Sequence, residues 1–438
     1  MKKHRQVDVV IVGAGPVGLF AALALVRRGV SVEIIDSQPH ASSHSYALTL
    51  HSETLGLLHA YGLLDQVLDA ARKVSRIDYF QGAERTAGID LAATSLAFQY
   101  LAVVEQNHLE TVLEQALLKH DVRVAWNHRA AEVRQEADKV HVRVDELEGG
   151  VIGYAVAHGE GFVRRSLEID ASLVIGADGF NSFVRRSQRI PFPEVGFPED
   201  YAVFQFEAVC GECDTVQIVE KDGLVNVRWP IKTNGCRWSF QLAEDEAPPE
   251  YLRRKDPSPV QRIGHTAKGP LNEDRLRELL AERAPWCPAR VENEYWNVWV
   301  RFERRLAQCF GQGRVWLAGD AAHLTSPVGV QSMNVGLAEA HDLSDRMDEV
   351  LKGRASLDTF AEYNTERLAE WSFLLGLKGG LEATPQTDDA LLRIRERLLS
   401  WLPASGKDLE VLSEALRLEI SGWTPVPRRR MAELQKAV

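Results

Sequence analysis

Val7-Asp8-Val9-Val10-Ile11-Val12-Gly13-Ala14-Gly15-Pro16-Val17-Gly18 is a β-branched run that ends in three glycines spaced G-x-G-x-x-G. Residues 7–12 suit a strand buried on both faces of a parallel sheet. Gly13 permits a tight turn, Gly15 lets backbone approach a pyrophosphate closely, and Gly18 lets the next helix pack on the strand. Pro16 fits the first turn of that helix, where its missing N–H costs nothing. The helix is expected to run to about Arg28, with Leu19, Ala22, Leu23 and Val26 inward and Gly29 ending it. Its free N–H groups and dipole suit an anionic diphosphate. Residues 31–36 read as a second strand, and Asp36 ends it, eighteen residues after Gly18. An acid there accepts hydrogen bonds from ribose hydroxyls and disfavours a 2′-phosphate. Without the glycines upstream, the same acid would be only a solvated strand end.

Two later stretches extend this pattern. Mid-chain, Ile175-Gly176-Ala177-Asp178-Gly179-Phe180-Asn181-Ser182-Phe183-Val184-Arg185 closes a buried-strand run over 173–177. Asp178 before a glycine also reads as an ordinary turn acid. Further on, Gly313-Arg314-Val315-Trp316-Leu317-Ala318-Gly319-Asp320-Ala321-Ala322-His323 precedes Pro327-Val328-Gly329-Val330-Gln331-Ser332-Met333-Asn334. Residues 315–318 read as a strand with Asp320 at its carboxyl end, where open α/β sheets bind ligands. A helix is expected from about Ser332 to Leu351, with Leu337, Ala340, Leu343, Met347 and Val350 as its apolar stripe. A helix start supplies N–H donors and positive dipole to an electron-rich group without a charged side chain.

In this order and spacing the three stretches together resemble the FAD-dependent aromatic hydroxylases, single-component flavin monooxygenases built like 4-hydroxybenzoate hydroxylase. The resemblance implies an α/β fold class. Its parts are a GR2-type Rossmann-like FAD-binding domain, an inserted antiparallel-sheet substrate domain and C-terminal helices. Expected boundaries are 1–190 and 301–384 for the two parts of the FAD-binding domain, 191–300 for the substrate sheet and 385–438 for the helical end. It also implies a cofactor site of Gly13, Gly15, Pro16, Gly18, Asp36, Gln106, Ala130, Asp178, Gly319, Asp320, Pro327, Gly329, Ser332, Met333 and Asn334. Gln106 stands where the family has a glutamine near the ribityl chain, although it can equally cap the helix that it opens. Ala130 falls where the family's backbone borders the adenine, and Met333 and Asn334 where it meets the pyrimidine end of the flavin.

The implied chemistry is reduction of FAD by NADH or NADPH, reaction with O2 to a C4a-hydroperoxyflavin, and hydroxylation of an aromatic, phenolic or polyketide-like molecule. No single residue declares itself as a catalytic base. Between the second and third stretches, residues 201–207, 215–219, 224–229 and 237–242 read as strands carrying Phe204, Phe206, Trp229 and Trp238, most of them core. Trp296, Trp299, Phe302 and the basic Arg304 and Arg305 follow. Residues 122–124, 129–135 and 140–144 read as strands, Thr384-Pro385-Gln386-Thr387-Asp388 as a break, and 390–401 and 407–418 as helices. About a hundred residues follow Val335, read as helices and not as the thioredoxin-like domain of larger relatives.

Three departures mark this chain. Ser37 follows the ribose acid, where arginine is common. Ser43-His44-Ser45-Tyr46 replaces a segment that usually holds an arginine, so 37–46 has no Lys or Arg. That neutrality favours NADH, or electrons from a separate flavin reductase. Val330 and Ser332 stand where glycines are common.

Bulk properties fit. The chain has 438 residues, 45% hydrophobic, and a net charge of −11 from 51 basic and 62 acidic residues, which argues against a nucleic-acid surface. Five cysteines imply no disulfide framework, and Cys210-x-x-Cys213 lacks a thioredoxin-like context. Arg428-Arg429-Arg430 reads as a solvated tail. Met1-Lys2-Lys3-His4-Arg5 before an apolar run is similar to an export signal, but Asp8 interrupts the run. A cytoplasmic monomer or homodimer with no transmembrane segment is expected. No nucleophile elbow, P-loop or zinc motif is present, and His40 and His44 lack carboxylates suited to a metal. Epoxidation, Baeyer–Villiger oxidation, N-hydroxylation, an oxygen-independent FAD reductase or dehydrogenase, and a non-catalytic flavin sensor stay open, because fold does not dictate reaction. Halogenation is disfavoured, since no Trp-x-Trp-x-Ile-Pro motif is evident.

Overall fold

The computed structural model describes residues 4–41, 48–148, 162–208, 214–232, 235–247, 260–261, 271–287 and 291–425. Cys210, Cys213, His44, Tyr46 and Arg428–430 lie outside them.

The first sheet has seven strands, with central order Gly311–Gln312, Val315–Leu317, Phe162–Gly176, His4–Val12 and Val32–Ile35. His4–Val12 runs parallel to both neighbours, pairing Val10 with Val174 and with Glu33. Val9, Val10, Ile11, Leu173, Val174 and Ile175 are wholly buried, as strands covered on both faces must be. The hairpin His128–Gln135 and Val140–Glu148 joins antiparallel along Phe162–Gly176. Residues 122–124 form no strand. The left-handed Asp121 and Asn127 flank this short piece, and only Ala125 bridges to Ile35.

Two helices cover this sheet where its strands end. Pro16–Val26 follows the first strand, and Gln331–Leu351 packs on it. The approach is close: a Cβ added at Gly336 would lie 2.8 Å from Val17 Cγ2 and 3.2 Å from Gly319 Cα. The starts of both helices and the Gly319 turn therefore converge.

The second sheet has nine strands. Eight run in the order Val260–Gln261, Val291–Leu306, Glu194–Ala208, Gly235–Leu242, Leu224–Pro230, Thr215–Lys221, Arg76–Gln81 and Glu84–Asp90. The ninth, His323–Leu324, pairs with the end of Val291–Leu306. Two features were not anticipated. The edge hairpin 76–90 comes from the part of the chain assigned to the first domain, and Thr215–Lys221 pairs parallel to it, so the sheet is mixed. Strand pairing between distant segments leaves little local trace, although the alternation around Gly82 is a hairpin signal. Phe204, Phe206 and Trp238 pack in a separate cluster with Leu276, Leu279 and Leu280 of the helix Glu273–Arg283, while Trp229 belongs to the main core.

The C-terminal part holds the helices Thr359–Leu374, Asp389–Leu398 and Gly406–Ala415. It also contains a small antiparallel pair, Gly380–Ala383 with Leu418–Ser421. The last helix stops short of 418 because Arg417 takes a left-handed conformation, and the break at 384–388 turns the chain out of the first of these strands. Among the described residues no helix is long and apolar enough to cross a membrane.

Candidate functional site

Gly13 has φ +105°, and a Cβ there would meet Ala177 O at 2.1 Å, so only glycine fits between the first and second fingerprints. At Gly18 a Cβ would lie 2.0 Å from Gly13 O, which presses the helix onto the turn. Gly15 differs: nothing lies within 4 Å of where its Cβ would be. It precedes Pro16 as the N-terminal cap, with no side chain capping the first turn. Open space beside uncapped backbone donors suits an anion. The Asp36 carboxylate binds this turn, accepting from Ala14 N at 2.7 Å and Gln38 N at 2.8 Å.

The third fingerprint forms the opposite wall. Gly319 has φ +65° and approaches Val17, which a Cβ would meet at 3.0 Å. Next to it, Asp320 is reachable by solvent yet crowded by protein atoms. Loss of solvation pushes its carboxyl up, against a hydrogen bond donated by Ser332 Oγ. Beneath this turn lies Glu339, 0% exposed. Its carboxylate accepts from Gly319 N at 2.8 Å, pairs with His323 Nε2 at 3.0 Å and accepts from Trp371 Nε1 at 2.7 Å. The His323 ring also stacks on Trp371, centroids 3.6 Å apart. A buried carboxylate needs this degree of satisfaction.

The start of the helix Gln331–Leu351 is fixed by Asn334. Its Oδ1 accepts from His51 N at 2.9 Å and Thr54 Oγ1 at 2.7 Å, and its Nδ2 donates to Thr49 O and Val330 O. Every position on that amide is used, so this side chain shapes the helix start and leaves backbone groups to face outward. Val330 caps the helix at φ +49°, a left-handed conformation unfavourable for a β-branched residue. His51 Nε2 donates to Gly329 O at 3.0 Å, and burial pulls the ring's pKa down to about 3, so it donates as the neutral imidazole.

The other predicted positions are placed as follows. Asp178 accepts from Ser182 Oγ at 2.5 Å and Val184 N at 3.0 Å, so both oxygens bind its own turn. Arg185 from the same segment donates to Ala321 O at 2.7 Å, tying the second fingerprint to the third. Gln106 does not cap its helix: it is the first helical residue, and its amide donates to Glu110 Oε1 at 2.8 Å. Ala130 is buried in the strand His128–Gln135, and Met333 is buried beside Asn334. Pro327 is half-buried in the loop that leads to Gly329. Sequence reasoning missed Glu339, Trp371 and Gln331. One signal was available: Glu339 lies four residues before Leu343 and thus puts a charge on the apolar stripe.

A polar bridge joins the second sheet to the first domain. Gln205 Nε2 donates to Glu105 Oε1 at 2.9 Å, and the buried Arg237 donates Nε to Gln205 Oε1 at 3.1 Å while its guanidinium lies 4.8 Å from the Trp296 ring centroid. Burial pushes Arg237 down to about 10, with Glu105 opposing. The basic residues before the third fingerprint brace the chain: Arg304 donates to Leu375 O and Arg305 to Phe192 O.

Comparison with known proteins agrees with this geometry. Residues 6–372 match the model of the FAD binding domain. The chain is 26% identical to para-nitrophenol 4-monooxygenase of Pseudomonas sp. (strain WBC-3), over 98% of this chain and 95% of that one. It is 27% identical to pentachlorophenol 4-monooxygenase of Sphingobium chlorophenolicum over 82% of this chain, which spans only 61% of that longer relative. The crystal structure of p-nitrophenol 4-monooxygenase from Pseudomonas putida DLL-E4 superposes with a TM-score of 0.69 at 24% identity, covering 94% and 97% of the two chains. The family match takes in the glycine turn with its open anion slot, the Asp320 turn and both converging helix starts, and it spans most of the sequence. The chain belongs to the FAD binding domain family, and its matched relatives are monooxygenases of aromatic compounds.

Proposed function

We propose that this protein is an FAD-dependent monooxygenase that uses O2 to hydroxylate an aromatic, phenolic or polyketide-like small molecule. One observation carries the reading. The open slot at Gly15 and the solvent-reachable Asp320 flank the point where Val17, Gly319 and Gly336 meet. The chain is, moreover, aligned almost end to end with a nitrophenol monooxygenase.

Bound FAD would supply the redox chemistry. The protein's part is positional. Backbone donors at Gly15 and the first turn of Pro16–Val26 would hold the diphosphate, and Asp36, anchored by Ala14 N, would keep an accepting lone pair for ribose hydroxyls. Asp320 would bind the polyol chain, its direction set by Ser332. The start of Gln331–Leu351 would direct N–H groups at the electron-rich end of the ring. The sheet face around Gln205, Arg237 and Trp296 would close over the substrate and exclude water. NADH or NADPH is the proposed donor, with NADH favoured by the neutral stretch 37–46.

The test is anaerobic reduction of the FAD-loaded protein by NADH or NADPH, then mixing with ¹⁸O₂ in the presence of phenols, nitrophenols and polyketide aromatics. Label in a hydroxylated product supports the reading. Reoxidation without labelled product for every compound would shift it to an oxygen-independent flavin oxidoreductase.

A further inference from the structure

The family match ends at residue 372, but the loop before the helix Gln331–Leu351 is held by residues well beyond it. Gly329 N donates to Ser400 O at 3.1 Å. The buried amide of Gln331 donates to Leu399 O at 3.0 Å and to Leu402 O at 3.2 Å. These carbonyls end the helix Asp389–Leu398 and its continuation Leu399–Trp401, so they are acceptors that a helix terminus leaves without intrahelical partners. The fit is close enough that a Cβ at Gly329 would lie 2.7 Å from Ser400 O and 2.8 Å from Leu402 O.

The same segment reaches two other parts of the site. Ser405 Oγ donates to Glu53 Oε2 at 3.0 Å, on the helix Ser52–Ala60 whose start is bound to Asn334. Arg397 donates to Gly223 O at 2.5 Å, in the turn between two strands of the second sheet, and to Gln241 Oε1 at 3.2 Å, in the strand Gly235–Leu242. Leu398, Leu402 and Trp401 are buried beneath these contacts. A tail attached only by apolar packing could slide with little penalty. Hydrogen bonds from loop donors to terminal carbonyls fix position, because displacement leaves buried groups on both partners unmet.

We propose that the segment 399–405 is a wall of the cofactor site, and that Gln331 is the positioning residue through which it sets the loop 327–331. This rests on the reading of that loop as flavin-binding. With Arg397 just before it, the segment clamps the loop to the second sheet, so the ring's surroundings and the sheet move as one unit.

The test uses the full chain and FAD alone. In the unmodified protein, FAD should slow hydrogen exchange of peptides covering 399–405 as well as 327–335. Gln331→Leu removes both donors at similar size, and Gly329→Ala pushes the carbonyls away. Each should weaken FAD binding about 10- to 100-fold, the loss expected for one or two buried hydrogen bonds, and should restore exchange in 399–405. Arg393→Ala, on an exposed position of the same helix, should leave both readouts unchanged. FAD uptake by the unmodified chain with no protection of 399–405, or with both variants binding as tightly as the parent, overturns this proposal alone. A chain that takes up no FAD overturns it together with the flavin reading. The exchange comparison needs no variant, so it stands even where a variant fails to fold.

Discussion

Gly319 N–H donates to the Glu339 carboxylate at 2.8 Å, across twenty residues of chain, and so ties the turn that presents Asp320 to the interior of the helix behind it. The acid is fully buried and also serves His323 and Trp371. Glu339→Ala leaves three buried groups without an acceptor, and the cost should be about 3–5 kcal/mol. Thermal or urea unfolding of the variant should show that loss together with poor FAD retention. Unfolding at the parent's midpoint would mean that the Gly319 turn is held by other contacts.

At Asp320 the expectation separates binding from folding. The carboxylate is reachable by solvent, and the one hydrogen bond described for it comes from Ser332. Asp320→Ala should therefore weaken FAD binding about 10- to 100-fold with little change in apoprotein stability. Ser332→Ala, which removes only an orienting donor, should cost less than about tenfold. Flavin fluorescence quenching on reconstitution measures both. Equal losses from the two would place Ser332 itself against the cofactor.

Val330 offers a change in the stabilising direction. Its left-handed conformation at φ +49° costs roughly 1–2 kcal/mol, and glycine would give back about 0.5–1 of that through its freer unfolded chain. Val330→Gly should raise stability by about 0.5–1 kcal/mol, read from denaturant midpoints at unchanged slope. A lower midpoint would show that packing of the valine outweighs its backbone strain.

Much of this was legible where the chemistry is local. Gly13 and Gly18 announce a turn because no other residue fits there, and the β-branched runs at 7–12 and 173–177 can only be interior strands. Asp320 and Ser332 were each legible as cofactor-site residues, but the hydrogen bond between them appears only in the folded chain. What escaped depends on distant partners. The hairpin 76–90 joins the second sheet through pairing with 215–221, which no short window contains. Asp178 has a turn role and a ligand role available from the same four letters, and only the positions of Ser182 and Val184 reveal that both oxygens bind its own turn. Gln331 looks like an ordinary helix-start residue until the chain returns seventy residues later with Leu399 and Leu402.

His51 makes the stability depend on pH in a stated direction. Burial holds its folded pKa near 3, well below the 6.5 of an exposed imidazole, and the Gly329 carbonyl only partly opposes this. The unfolded chain therefore binds the extra proton between pH 6.5 and about 3 while the folded chain does not. Its contribution is fully present above pH 6.5 and is lost as pH falls through that window, at most about 1.4 kcal/mol per unit. Between pH 5 and 6.5 most carboxylates stay ionised, so the difference there between the parent and a variant lacking this ring reports the histidine. His51→Gln keeps a donor for Gly329 O without a titrating group. Unfolding free energies from urea titrations across pH 5 to 7.5 should fall more steeply toward acid in the parent than in the variant. Parallel curves would mean that His51 is reached by solvent and protonates in the folded chain, and the loop above it would then open more readily than its hydrogen bonds to Asn334 and Gly329 suggest.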